Sequence, residues 1–243
     1  MDSSLTGLAK ILSVQVGLPV TLQSQDFITQ THKPWTTGFV KEPIVGPVWL
    51  GSRNLSGDGQ ADSVHHGGPD KAVCVYPACH YPFWRDELHQ PAMQCGAFGE
   101  NFTVDGLTEA DVCVGDVWRV GDATVQVSQP RQPCWKLARR WNIKDLALRV
   151  QQHGRTGWYL RVLVEGFVAS GVAITLVERT YADWTIAAAN RIMHHDKTNV
   201  AAAANLAAIP PLSSSWRESL LLRIQTNDEP RDSERLNGTN NLA

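Results

Sequence analysis

The most chemically pointed segment of the chain is Gln129-Pro130-Arg131-Gln132-Pro133-Cys134-Trp135-Lys136-Leu137. Each proline fixes its own φ and pushes the residue before it toward extended geometry, so Gln129 and Gln132 are expected to run straight out of the strand that precedes them. Proline also suits the first position of a helix, which predicts Cys134 in the first turn of a helix bearing Leu137 and Trp141. Free backbone N–H groups and the positive dipole end favour an anion there and lower a thiol pKa, and Arg131 adds to the effect. A thiolate so placed is a soft ligand for a transition metal and a nucleophile. The other reading is a small apolar side chain buried at a strand-to-helix junction.

Two further segments carry polar groups in suggestive patterns. In His65-His66-Gly67-Gly68-Pro69-Asp70-Lys71 the paired glycines allow close backbone approach, while His65, His66 and Lys71 supply donors for an oxyanion such as phosphate. A tight turn with solvated side chains would use the same residues. In Phe98-Gly99-Glu100-Asn101-Phe102 the amide of Asn101 can address the edge of a heterocycle, or it can satisfy the backbone of its own loop. The chain contains no G-x-G-x-x-G, Walker loop, H-E-x-x-H or G-x-S-x-G.

Short β-branched runs broken by Gly, Pro and Asp must position these groups, which predicts a mainly β, α+β body. Strands are expected over residues 11–16, 45–50, 72–75, 158–164 and 171–177. Residues 117–120 and 123–127 alternate apolar and polar side chains around Gly121-Asp122 and read as a hairpin. Helices are expected over 81–88 and from Pro133 onward. After about residue 181 the chain turns alanine-rich, predicting three helices over 185–195, 199–209 and 214–224, with Asp183 and Thr198 as caps and Pro210-Pro211 as a break. The domain plan is therefore a β body over 1–180, a three-helix unit over 181–224, and a polar tail over 225–243 expected to be disordered.

Composition sets the outer limits. With 22 Lys plus Arg against 24 Asp plus Glu the net charge is −2, which excludes a nucleic-acid binder held by bulk charge. Hydrophobic residues make up 43% and charged residues 19%, as in a packed globular protein. Five cysteines without a C-x-x-C spacing encode neither a paired disulfide framework nor a zinc finger, and point to a reducing compartment. No apolar run reaches membrane-spanning length and the N-terminus lacks a signal-peptide pattern, so no membrane association and a cytoplasmic location are expected.

Read in order, the strings GDGQADSVHHGGPDKAVCVYP, AFGENFTVDGLTEADVCVGDVW and VSQPRQPCWKL resemble the MOSC domain, and the chain is similar to its YiiM-type members, a MOSC body followed by three helices. The resemblance covers about residues 11–224. It implies a β-barrel-like fold and the molybdenum cofactor, a pterin bearing a dithiolene and a phosphate. It also implies reduction of N-hydroxylated compounds, such as 6-hydroxylaminopurine, to amines. By motif, Cys134 corresponds to the cysteine that ligates molybdenum, and Asn101 and Arg131 to positions near the pterin or its phosphate. His65, His66, Gly67, Gly68 and Lys71 lie in the motif characteristic of the YiiM group; their chemistry suits anion binding, with His65 or His66 also able to deliver protons. Electrons would come from an external flavoprotein reductase, since the chain has no nicotinamide or flavin fingerprint. A homodimer is expected on general grounds of symmetry. MOSC domains also serve as cofactor or sulfur carriers, with Cys134 holding a persulfide, and the domain alone does not choose between the two roles.

Overall fold

Val120 and Ala123 pair across Gly121-Asp122, where Gly121 takes a φ of 59° that a side chain would strain. This hairpin joins two strands of the principal sheet in the computed structural model, which describes residues 9–25, 32–62, 67–226 and 232–237. The strands are β1 (Lys10–Val16), β2 (Val20–Gln25), β3 (His32–Thr37), β4 (Glu42–Pro43), β5 (Val48–Leu50) and β6 (Val73–Pro77). They continue with β7 (Phe102–Asp105), β8 (Val117–Val120), β9 (Ala123–Pro130), β10 (Trp158–Val164), β11 (Gly166–Val168) and β12 (Ile174–Glu178). The principal sheet has eight strands in the order β12-β8-β9-β10-β6-β7-β1-β4. Its pairs are antiparallel except β6–β7, whose connection carries a helix, as a parallel crossover requires.

The sheet curls until its two sides meet. Ile174 N–H donates to the Ala9 carbonyl at 2.9 Å and Ile11 N–H to Val172 at 3.0 Å, so the β1 side reaches the segment leading into β12. Inside the curl, period-two alternation puts Ile11, Val73, Val75, Val125, Val127 and Leu160 into the core. Two small sheets, β2–β3 and β5–β11, flank it.

Seven helices complete the described chain: α1 (His80–Leu88), α2 (Trp135–Trp141), α3 (Leu146–His153), α4 (Ile186–His194), α5 (Val200–Ala207), α6 (Ser214–Thr226) and α7 (Asp232–Asn237). The first three share an aromatic cluster outside the barrel, centred on Tyr76 stacked on Phe98 at 4.2 Å, with Trp84, Leu137, Leu146 and Val150 around it. Proline at position 82 falls in the first turn of α1, where its missing N–H costs nothing. By contrast, α4, α5 and α6 continue the barrel core through Ile186, Ile192, Leu206, Trp216 and Leu220.

Several expectations shift. Thr185 and Asn199, rather than Asp183 and Thr198, cap α4 and α5, because their side-chain oxygens accept from Ala188 and Ala202 N–H, both at 3.0 Å. Strand β5 starts at Val48, and β12 starts at Ile174, since residues 171–173 pair with β1 instead. The hairpin β2–β3, strand β7 and helix α3 were not anticipated. Within the tail, Asp232–Asn237 is helical, with Arg235 reaching the carbonyl of Pro133 and, at 2.5 Å, Gln151 Oε1.

Candidate functional site

Strand β9 delivers the cysteine segment to a cleft. Ladder bonding with β10 extends past Pro130, because Arg131 N–H donates to the Gly157 carbonyl at 3.1 Å. Gly157 permits this register: its φ is 69°, and an added Cβ would lie 2.1 Å from the Val75 carbonyl oxygen of β6. Beyond Gln132-Pro133 the chain stays extended through Cys134, at φ −129° and ψ 167°. Cys134 is therefore the residue capping α2, one position before its first turn rather than within it, and Trp135 opens the helix. Its side chain is 7% exposed and lines the cleft, which encloses about 610 Å³, part of it open to solvent.

Arg131 is also buried at the cleft wall, its guanidinium 5.5 Å from the centroid of Phe39. Its Nη1 is buried with no hydrogen-bond partner. Burial alone would lower its pKa, but the net shift is upward from a value that already keeps a guanidinium charged, so the cation persists at every working pH. Tyr159 from β10 and Cys74 from β6, partners across the β10–β6 ladder, complete this wall; burial is the main reason that both stay protonated, pushing the thiol and the phenol up.

Lys71 reaches the same cleft from a 3₁₀ turn, Pro69–Lys71. Asp70 anchors this turn: its carbonyl accepts from Ser128 Oγ at 2.6 Å, and its carboxylate accepts from Arg161 Nε at 2.9 Å. Burial lowers the Lys71 pKa, against the opposing charges of Asp70 and Asp62. Gly68 caps the turn at φ 98°, but neither Gly67 nor Gly68 is among the cleft-lining residues. His65 and His66 lie outside the described residues.

Asn101 lines the cleft but spends its amide on the protein. Its Oδ1 accepts from Cys74 N–H at 3.0 Å, and its Nδ2 donates to Asp58 Oδ2 at 2.9 Å and to the Gln15 carbonyl at 3.3 Å. Its observed role is thus to tie the cleft floor together rather than to read a ring edge. Glu100 beside it is fully buried, accepting from Gly96 and Phe98 N–H, Thr103 Oγ1 and Tyr81 Oη. Asp58 forms a buried ion pair with Lys41, a cleft residue, and accepts from Gly17 N–H at 3.0 Å.

Sequence reasoning missed Lys41, Asp58, Cys74 and Tyr159. Nothing local distinguishes Cys74 or Tyr159 from any other residue of a strand. With Lys41 neutralised by Asp58, the lining keeps Lys71, Arg131 and Lys136 against Asp62. The cleft can therefore take an anionic ligand bearing several acceptors, and of its two cysteines, Cys74 and Cys134, burial keeps Cys74 as the thiol, which leaves Cys134 as the sulfur for a soft metal.

Residues 62–175 match the MOSC domain and residues 184–227 the YiiM-like, 3-alpha helix domain. YflK of Bacillus subtilis is 49% identical over 87% of this chain and 92% of its own length. The crystal structure of YiiM from Geobacillus stearothermophilus superposes with a TM-score of 0.74 at 40% identity, covering 89% of this chain and 99% of that one. The chain belongs to the YiiM-type MOSC family. The YiiM-type architecture accounts for both parts of the molecule, the curled sheet and the helices that follow it. A protein from Gibberella moniliformis named as a reductase is 37% identical over 65% of this chain, which corresponds to 28% of that longer protein. Among the described residues no helix is long and apolar enough to cross a membrane.

Proposed function

We propose that this YiiM-type protein is a molybdenum-cofactor-dependent oxidoreductase that reduces N-hydroxylated compounds, such as 6-hydroxylaminopurine, to the amines. The observation that carries the reading is the buried Arg131 guanidinium, with Nη1 unpartnered, in the same cleft wall as Cys134. A buried donor without a partner costs about 1–3 kcal/mol, and an anionic group in the cleft would offset that cost. The residues present fit the group: Arg131 and Lys71 would hold its anionic parts and Cys134 its metal, the pairing of soft thiolate with transition metal. The MOSC domain's association with this cofactor and the reductase name of a relative support the same reading.

When bound, the cofactor would supply two-electron redox chemistry at a metal centre. The protein's own part is positional and electrostatic. Cys134 is held by the extended segment before α2, and Arg131 by its backbone bond to Gly157. Tyr159 keeps its proton at the cleft wall. Reducing an N–OH group to N–H takes two electrons and two protons and releases water. We assign proton delivery to His65 or His66 on the chemistry of imidazole. Electrons come from an external flavoprotein reductase. A cytoplasmic setting suits the five cysteines, all free of disulfides.

The test is molybdenum and pterin analysis of protein purified from a cofactor-competent host, beside Cys134→Ala, with turnover of 6-hydroxylaminopurine using a reduced viologen as donor. We expect stoichiometric molybdenum and turnover in the wild type, and loss of both in a folded Cys134→Ala. Pterin retention without turnover would replace this reading with the carrier role, and molybdenum retained by the variant would remove Cys134 as its ligand.

A further inference from the structure

A second arrangement of titratable groups lies at the start of α1, outside the cleft. His80 is 7% exposed, and its Nε2 lies 2.7 Å from Glu109 Oε2; the other carboxylate oxygen, Oε1, accepts from Gly157 N–H at 2.7 Å. Because the carboxylate accepts on both oxygens, Nε2 carries a proton, and in the neutral imidazole of that tautomer Nδ1 is the acceptor. Nδ1 faces Cys79, 3.8 Å from Sγ. Among the five cysteines Cys79 is the exposed one, and it caps a nine-residue helix.

We infer that Cys79, His80 and Glu109 form a base-assisted thiol site that exchanges with small disulfides bearing carboxylates. Nucleophile, base and orienting carboxylate stand in the relation that thiol chemistry requires. The other charged groups around Cys79 are Arg155 and Asp105. Arg155 sits on the ring of Phe83, 3.8 Å from its centroid, and supplies the cation that a carboxylate-bearing partner would meet. Burial and Glu109 hold the thiol above its usual range, so a standing thiolate is scarce and reaction depends on proton transfer as the bond forms. In that step Nδ1 of His80 takes the thiol proton while Sγ attacks one sulfur of the disulfide. The S–S bond breaks, the departing sulfur leaves with the electron pair, and it receives the proton. Cys79 is oxidised to a mixed disulfide and the leaving sulfur is reduced to a thiol. This inference does not depend on the molybdenum cofactor.

The experiment treats the full chain with oxidised glutathione at neutral pH and follows the mixed disulfide on each cysteine by peptide mass spectrometry, in the wild type, His80→Gln and Glu109→Gln. Circular dichroism checks that the variants fold. We expect Cys79 to be modified before the half-buried Cys95, with its rate falling on the order of 10²-fold in His80→Gln, the lower end of what a positioned base contributes. A Cys79 rate unchanged in folded His80→Gln, or Cys95 reacting first, would overturn the assignment. Should that variant not fold, the pH–rate profile of the wild type decides. A base-assisted thiol is nearly flat from neutral to mildly alkaline pH, whereas an unassisted one rises about tenfold per pH unit over that range and would sink the proposal.

Discussion

Arg131 illustrates how a residue can oppose folding and favour ligand binding at once. Its guanidinium is buried with Nη1 unpaired, a cost that the folded chain carries for the sake of the cleft. Arg131→Met keeps the length and apolar bulk while removing the charge. We expect the cofactor-free variant to be as stable as the wild type, or more stable by up to about 3 kcal/mol in urea unfolding, and to lose retained pterin. Lower stability combined with full retention would reverse both halves of the argument. Lys71 obeys the same logic with a pH signature. Burial lowers its pKa in the folded state, so the unfolded chain binds more protons between that value and the reference of 10.5, and stability rises with pH across this window. Lys71→Met lacks this titration. Its melting temperature is therefore expected to exceed the wild type's most at neutral pH, with the gap closing in alkaline buffer.

At the scale of elements, the cleft exists because three adjacent strands and one loop converge. Strand β6 brings Cys74, β10 brings Tyr159, β9 leads into Arg131 and Cys134, and the Asp58 loop closes the floor. Asp58 is the hub, bonding Lys41, Asn101 and Gly17 from three separate segments. Asp58→Ala leaves the Lys41 ammonium buried without its counter-ion. We expect a loss of about 3–5 kcal/mol, read by denaturant unfolding, whereas the paired replacement Lys41→Met with Asp58→Ala should recover part of it. A single-variant cost below about 1 kcal/mol would show that water reaches the pair.

For the whole molecule, the C-terminal helices are part of the barrel's core rather than an appendage. Ile186, Ile192, Leu206, Trp216 and Leu220 pack in one cluster with the strand interior, and Ile186 and Ser213 N–H donate to Val112 and Ser128 carbonyls at 2.8 and 3.0 Å. Among the described residues none beyond Tyr159 lines the cleft, so these helices act on the site by supporting β9 from behind. Each large side chain contributes about 1.5–3 kcal/mol on burial, and losing five or more rivals the total stability of an ordinary domain. A chain ending at Thr180 is therefore expected to show no cooperative melt by circular dichroism. A sharp transition from that chain would mean that the β body folds alone.

Local signals determined much of this protein before any contact was known. β-branched runs and alternation located β1, β8 and β10 nearly to the residue and the start of β9, Gly121-Asp122 set the hairpin, and helix-favouring composition marked the three C-terminal helices. The proline-framed segment drew attention to Arg131 and Cys134, which the fold places in one cleft wall, because fixed φ angles dictate extended backbone whatever surrounds it. Lys71 was legible as a cation beside a glycine turn. What the chain alone left undecided is what depends on neighbours far apart in sequence. Asn101 could equally face a ligand or its own loop, and only Cys74, Gln15 and Asp58, from 27 to 86 residues away, commit its amide inward. Tyr159 and Lys41 have no local signature at all; sheet register brings one to the cleft and a buried carboxylate fixes the other. A side chain's type sets the chemistry available to it, whereas burial and partner geometry, which are properties of the packed fold, select the chemistry that it performs.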